Sequence, residues 1–328
     1  MPQTDFFIGI RHVLRRSICG RQAKRNGKRR QRRFAVKYPL SCAENRAIIG
    51  VIPETAAHIC MQPVYRMKSA IFRQNIKRKD PFAMIFYFTG TGNSFAAAKA
   101  LAEDGEQLVS IAEANKTRAY SYTFKKGERL GIVFPEYCST VGKPVLDFVR
   151  SLEIKGHPYC FAVITCGGVV SFAAGLLRHE LAERGIRLHY ATFVRMPNNA
   201  ITYMETPPED KRQRLLAKAE VRFAELKEKL KKHPVKPVRG GLLATAFQPA
   251  LRKSSSTVPF RAEDSCTGCG ACAKRCPEDA IRMENGRPVW VKATCAMCTA
   301  CLNRCPAGAI EYGDKSAGRA RYVHPDLR

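Results

Sequence analysis

Hydrophobic and polar positions change their rhythm sharply at Met84 in this chain of 328 residues. Met84 to Phe88 (MIFYF) is a continuous apolar run, the pattern of a central parallel strand buried on both faces. It feeds the turn Thr89-Gly90-Thr91-Gly92-Asn93-Ser94. Phe95 to Ala102 (FAAAKALA) then predicts a helix with Asn93 or Ser94 near its cap. Further strands are predicted at Gln107 to Ile111, Leu130 to Phe134, Tyr159 to Thr165 and Leu188 to Val194, with helices at Lys143 to Leu152 and Phe172 to Arg184. Strands alternating with helices imply right-handed crossovers and an α/β fold, a doubly wound parallel sheet of five strands.

Thr206 to Lys232 reads as one long helix. Thr206 with Glu209 has the spacing of a capping box, Pro207 suits the first helical position, and Leu216, Ala219, Phe223, Leu226 and Leu230 step by three and four toward the sheet. His233-Pro234 ends it, Leu242 to Leu251 predicts a short helix, and Ser254-Ser255-Ser256 marks a boundary. The expected organisation is an extension over 1–82, an α/β domain over 83–233, a linker over 234–257, a second domain over 258–313 and a basic, solvated tail over 314–328.

The second domain is defined by cysteine spacing. Cys266-x2-Cys269-x2-Cys272-x3-Cys276-Pro277 repeats, after eighteen intervening residues, as Cys295-x2-Cys298-x2-Cys301-x3-Cys305-Pro306. Two-residue gaps let three thiolates converge on one pocket, the soft-ligand set of a cubic iron-sulfur cluster. Zinc sites favour paired Cys-x2-Cys or mixed cysteine and histidine, and a disulfide framework needs a secreted chain. These residues resemble a bacterial two-cluster ferredoxin module, small and α+β, over about Val258 to Gly313. The resemblance implies two [4Fe-4S] clusters with crossed fourth ligands, one on Cys266, Cys269, Cys272 and Cys305, the other on Cys295, Cys298, Cys301 and Cys276. Each half should follow one plan of cysteine loop, short helix after Ala271 or Ala300, and strand near Ile281 or Ile310, with Glu284-Asn285-Gly286 turning a hairpin into Pro288-Val289-Trp290.

The 89–94 turn joins a strand to a helix N-terminus, where free amides and the dipole favour a phosphate. A nucleoside-triphosphate loop needs a Lys-Ser/Thr pair that is missing here, and a dinucleotide fingerprint needs a third glycine where Phe95 stands. A hydroxyl- and glycine-rich nest without cationic side chains remains, as suits the single phosphate of FMN. The turn resembles the phosphate-binding turn of flavodoxins. That resemblance implies a flavodoxin-like sheet in the order 2-1-3-4-5, with the ligand beyond the carboxyl ends of strands one, three and four. Thr89, Gly90, Thr91, Gly92, Asn93 and Ser94 would take the phosphate. Pro135 and Tyr137 lie in the next loop, Tyr137 as the ring-stacking candidate, and Cys166, Gly167 and Gly168 would let backbone approach the flavin edge. Flavodoxins carry a tryptophan in the first ring loop, whereas the sole tryptophan here is Trp290.

Charge adds less. Of the formal +28, residues 1–82 contribute +15, and RQAKRNGKRRQRR over Arg21 to Arg33 has no hydrophobic period. Three readings of that extension stand open: a disordered charge run, an upstream segment preceding a true start at Met84, and a nucleic-acid tether. The last lacks aromatic interleaving or a folded module, so nucleic acid is disfavoured as a partner. No apolar run is long enough to span a bilayer. Cys19, Cys42, Cys60, Cys138, Cys160 and Cys166 show no paired spacing, consistent with a reducing cytoplasm, and the seven histidines form no acid-base or metal constellation.

An FMN-type turn followed by a two-cluster module resembles the flavodoxin-ferredoxin fusion proteins of anaerobic bacteria, over about Met84 to Tyr322. This implies an electron-transfer flavoprotein that passes electrons between redox protein partners, the clusters and FMN. Two alternatives are an oxidoreductase in which FMN reduces a small substrate, and a plain ferredoxin beside an empty flavodoxin-like domain.

Overall fold

The five long strands lie where apolar runs predict them. In the computed structural model, which describes residues 83–168, 172–238 and 255–327, β1 (Met84–Tyr87) pairs in parallel with β2 (Gln107–Ser110) on one side and β4 (Arg129–Tyr137) on the other. Two further parallel strands, β7 (Tyr159–Cys166) and β8 (Leu188–Arg195), complete the order β2-β1-β4-β7-β8. Counting only these five, the order is 2-1-3-4-5, so the fold is a flavodoxin-like α/β sheet followed by a small module with antiparallel pairs.

Both faces of the sheet are covered. On one, Ile85, Val133, Phe161 and Val163 pack against α1 (Asn93–Leu101) and α5 (Glu209–Lys231), the latter through Ala219, Phe223, Leu226 and Leu230. On the other, Phe86, Leu130, Ile132 and Ile164 pack against α2 (Ile111–Thr117), α3 (Lys143–Ser151) and α4 (Ala173–Ala182). Such two-sided burial is why the central strands β1, β4 and β7 read as apolar runs, while the edge strands β2 and β8 are only partly covered. One charged pair sits at the sheet's amino-terminal end, where the buried Arg129 donates to Glu106 through Nε (2.8 Å) and Nη2 (2.6 Å).

Several local expectations need correction. Ile111 opens α2 instead of closing β2, because the Ser110 hydroxyl accepts from the Glu113 amide and caps a helix there. The short strands β3 (Ser121–Thr123), β5 (Thr140–Val141) and β6 (Glu153–Lys155) carry too little pattern to be foreseen. The capping box at Thr206 and Glu209 does not form. The helix starts at Glu209 after Pro208, and the Thr206 hydroxyl donates instead to the Ala320 carbonyl at 2.7 Å. That bond exposes a larger miss: the tail is docked, with Ser316, Tyr322 and His324 buried. The 1–82 extension and the 242–251 helix lie outside the described residues.

In the cysteine-rich part, β10 (Ile281–Glu284) and β11 (Arg287–Trp290) form the expected hairpin, turned by Asn285 (φ 48°) and Gly286 (φ 76°). The two halves differ elsewhere. β12 (Ile310–Tyr312) pairs with β9 (Phe260–Ala262), a strand ahead of the first cysteine, and not with a local hairpin partner. Short helices α6 (Ala271–Lys274) and α7 (Ala300–Asn303) each begin one residue before the third cysteine of their run.

Candidate functional site: two sulfur-lined cavities at the strand ends

The repeated cysteine register is also a repeated backbone. Gly268 and Met297, Gly270 and Thr299, and Asp279 and Gly308 all have positive φ, and each pair occupies equivalent positions of the two runs. Met297 (φ 49°) and Thr299 (φ 55°) hold a left-handed conformation without being glycine, at a cost of order 1–2 kcal/mol each. The bends aim amides at sulfur. The Ala280 amide donates to Cys276 Sγ (3.2 Å) and the Ala309 amide to Cys305 Sγ (3.3 Å), four residues on in both cases.

The sulfurs gather in two cavities. One is lined by Cys266, Cys269, Cys272 and Cys305, with Met283, Pro288 and Ile310. The other is lined by Cys276, Cys295, Cys298 and Cys301, with Phe260, Ile281 and Trp290. In each, three cysteines come from one run and the fourth from the other. Among the described residues no three ligating side chains converge tightly enough for a single metal ion. Four thiols per cavity are the soft donors that an iron-sulfur group takes, and the amide donors at Cys276 and Cys305 suit anionic sulfur.

The cavities differ in depth. Cys269 is exposed, and amide and hydroxyl donors from Ala271 and Thr267 hold its thiol below the usual range. Cys298 is buried, and burial pushes its thiol up to about 12; burial also pushes Cys295 up to about 11. Uncharged thiols would persist there unless a cationic metal core compensates the thiolates.

The second cavity is packed against the carboxyl end of the sheet. Ala296, Cys298 and Ala300 join the core that contains Phe88, Phe134 and Val141. Gly90 touches the Cys298 segment so closely that a Cβ built on it would lie 2.1 Å from the Cys298 carbonyl oxygen. Lys116 pairs with Asp279 at 2.8 Å and Lys143 with Glu278 at 3.5 Å, tying α2 and α3 to the loop after Cys276. Asn199 binds both parts: its Nδ2 donates to Thr91 Oγ1 (2.6 Å), while its carbonyl accepts from Thr299 Oγ1 (3.3 Å) and Asn303 Nδ2 (3.1 Å). Sequence reasoning missed Asn199. Its signal was the Pro197-Asn198-Asn199 segment just past the last long strand, a place where side chains reach the crevice.

The 89–94 turn is well formed and covered. Gly92 has φ 108° and its amide donates to Thr89 Oγ1 at 2.9 Å. Ser94 and Thr165 hydroxyls share a hydrogen bond of 2.7 Å, and Asn93 Nδ2 donates to the Pro197 carbonyl at 2.9 Å. The donor types fit a phosphate at a helix N-terminus, but Gly90, Thr91, Gly92, Asn93 and Ser94 are all buried beneath protein. Tyr137 lies edge-on to Phe88 with its ring limiting Gly142. Its hydroxyl is buried without a hydrogen-bond partner, and burial, with Cys298 and Cys295 nearby, raises its phenol well above the usual value. Pro135 is half-buried near the end of β4, Cys166 ends β7, and Gly167 and Gly168 are exposed beyond it.

Residues 265–310 match the family model of a 4Fe-4S dicluster domain. A search of curated proteins returns no match. Among solved structures, the azoreductase AzrA is 12% identical over 45% of this chain and 100% of its own, with a TM-score of 0.28. An FMN-dependent NADH-azoreductase from Bacillus anthracis is 13% identical over 45% of this chain and 99% of its own (TM-score 0.28). Rubredoxin oxygen:oxidoreductase from Desulfovibrio gigas is 18% identical over 47% of this chain and 38% of its own (TM-score 0.27). At these scores the likenesses add nothing to the strand order already described. What stands is a flavodoxin-like α/β sheet whose crevice is closed by a segment similar to 4Fe-4S dicluster domains.

Proposed function

We propose that this chain is an electron-transfer protein holding two [4Fe-4S] clusters, one on Cys266, Cys269, Cys272 and Cys305 and the other on Cys276, Cys295, Cys298 and Cys301. The observation that carries the reading is that each cavity is lined by one complete crossed set. When bound, the clusters exchange single electrons and an FMN at the 89–94 turn would hold one or two. The chain's own residues supply the rest. Amides at Ala280 and Ala309 stabilise sulfur charge, Phe260 and Trp290 wall the inner cavity, and Lys116 and Lys143 hold it against the crevice. Exposed Cys269 marks the side from which a redox protein partner would exchange electrons with the outer cluster. The order of parts supports membership of the flavodoxin-ferredoxin fusion proteins of anaerobic bacteria, working in the cytoplasm.

The cover over the turn favours a second reading, a cluster carrier whose flavodoxin-like part holds no flavin. Anaerobic preparation with iron, sulfide and flavin quantification separates the two. About eight irons with one FMN per chain supports the relay, and eight irons without FMN supports the carrier. Fewer than about four irons, or zinc in their place, overturns both. Within the cluster reading, Cys276→Ala should abolish the electron paramagnetic resonance signal of the cluster on Cys295, Cys298 and Cys301 and spare the other; selective loss of the other contradicts the crossed ligation.

A further inference from the structure

The last eight described residues form a strap over the turn. The Tyr322 hydroxyl donates to Asn93 Oδ1 at 2.7 Å, and the His324 amide donates to the Thr91 carbonyl at 2.8 Å. A Cβ built on Gly92 would lie 2.6 Å from His324 Cβ and 3.0 Å from Leu327 Cβ, so the strap rests directly on the bend of the turn. Asp326 reaches Lys99 of α1 at 3.3 Å. The strap is anchored on the other side as well. The Tyr322 amide donates to Asn303 Oδ1 (3.0 Å), and Arg321 donates to the carbonyls of Leu302 (2.7 Å) and Gly308 (2.9 Å) in the cysteine-rich part.

We propose that this strap and the phosphate of FMN exclude one another at the 89–94 turn, so that strap closure sets the chain's affinity for flavin. The inference rests on the FMN reading of the turn. A phosphate would sit over the bend at Gly92 and the N-terminus of α1, and the strap fills that space: His324 and Leu327 lie against Gly92 while the strap bonds the Thr91 carbonyl and Asn93 Oδ1, leaving Thr91 Oγ1 with Asn199 and Asn93 Nδ2 with the Pro197 carbonyl. The strap is also the part of this cover that can lift alone. It joins no sheet, its only regular element is the 3-10 turn Pro325–Leu327, and it is held by separate hydrogen bonds and two ion pairs, Asp326 with Lys99 and Arg321 with Glu311 at 2.7 Å. A ligand that binds only the open state has its apparent dissociation constant raised by the inverse of the open fraction. Because the strap also grips Leu302 and Gly308, flavin entry and the docking of the cysteine-rich part are coupled through it.

Anaerobic titration with FMN, read by quenching of flavin fluorescence, tests this on the cluster-loaded chain, on a chain ending at Arg319 and on full-length Tyr322→Phe, with iron content measured on each. The shortened chain should bind FMN at least about tenfold more tightly than the full chain. Tyr322→Phe, which loses one buried hydrogen bond, should tighten it by about threefold. Should the shortened chain lose iron, the full-length substitution decides alone. Equal affinity in all iron-retaining forms overturns the strap proposal and leaves the flavin reading intact. No FMN binding in any iron-retaining form removes the flavin reading, and the strap proposal with it.

Discussion

Gly90→Ala separates the docking of the inner cavity from every other property of the turn. Gly90 has ordinary negative φ, so alanine is conformationally allowed and the effect is purely one of space. The new methyl would lie 2.1 Å from the Cys298 carbonyl oxygen, 3.0 Å from its carbon and 3.3 Å from its Cβ. Ordinary contact is no closer than about 3.4 Å, so the Cys298 segment must retreat by more than an ångström or the turn must move. The obstacle is backbone on both sides and offers no rotamer to relieve it. Overpacking of this kind costs about 1–3 kcal/mol, a fall of roughly 3–9 °C in the thermal midpoint for a unit of this size. Gly167→Ala is the matched control, since its new Cβ would find only Asn198 Cβ at 3.9 Å. The assay is thermal unfolding of both variants under anaerobic, flavin-free conditions, together with proteolysis rates for the cysteine-rich part. If Gly90→Ala unfolds with the wild-type midpoint and protease resistance, the close packing of Cys298 on the turn is wrong. Working without flavin keeps a lost phosphate contact from imitating the result.

Two further outcomes follow from other parts of the fold. Arg129→Met leaves Glu106 buried without its bidentate partner and should destabilise the sheet by about 3–5 kcal/mol, seen as a lower urea midpoint; a change under about 1 kcal/mol refutes the pairing. His324 is held below the usual histidine value, first by burial and also by Lys99, while Asp326 and Glu220 oppose this. A lowered folded pKa means the unfolded chain binds more protons, so the contribution is complete above about pH 6.5 and is lost as pH falls through the folded value. Proteolysis of the strap should therefore accelerate on acidification below about pH 6.5, and His324→Gln should flatten that dependence.

The sequence made the strands legible because burial on both faces leaves few polar interruptions, as in Ile132 to Phe134 and Phe161 to Ile164, all fully buried. It made the two cysteine runs legible because their spacing repeats, while the exchange of the fourth cysteine, Cys276 and Cys305, came only from the resemblance to two-cluster ferredoxins. What it hid were contacts between distant segments. Thr206 has the spacing of a cap, yet a nearby carbonyl at Ala320 outcompetes the helix terminus for its hydroxyl. The basic tail carries no period, so nothing local announces that Tyr322 and His324 are buried against the turn. Gly90 and Thr91 likewise read as groups for a phosphate, and their closest neighbours are Cys298, Asn199 and His324 of the same chain. A turn built to receive a ligand and one built to receive protein use the same small and hydroxylated residues.

The unequal cover of the two sulfur rings sets an order of damage. With Cys269 in solvent and Cys298 walled off by the sheet, an oxidant or chelator arriving from outside meets the ring containing Cys269 first. On the proposed two-cluster reading, partial inactivation should remove the outer cluster and leave the inner one in place, a chain loaded on one side and disconnected on the other.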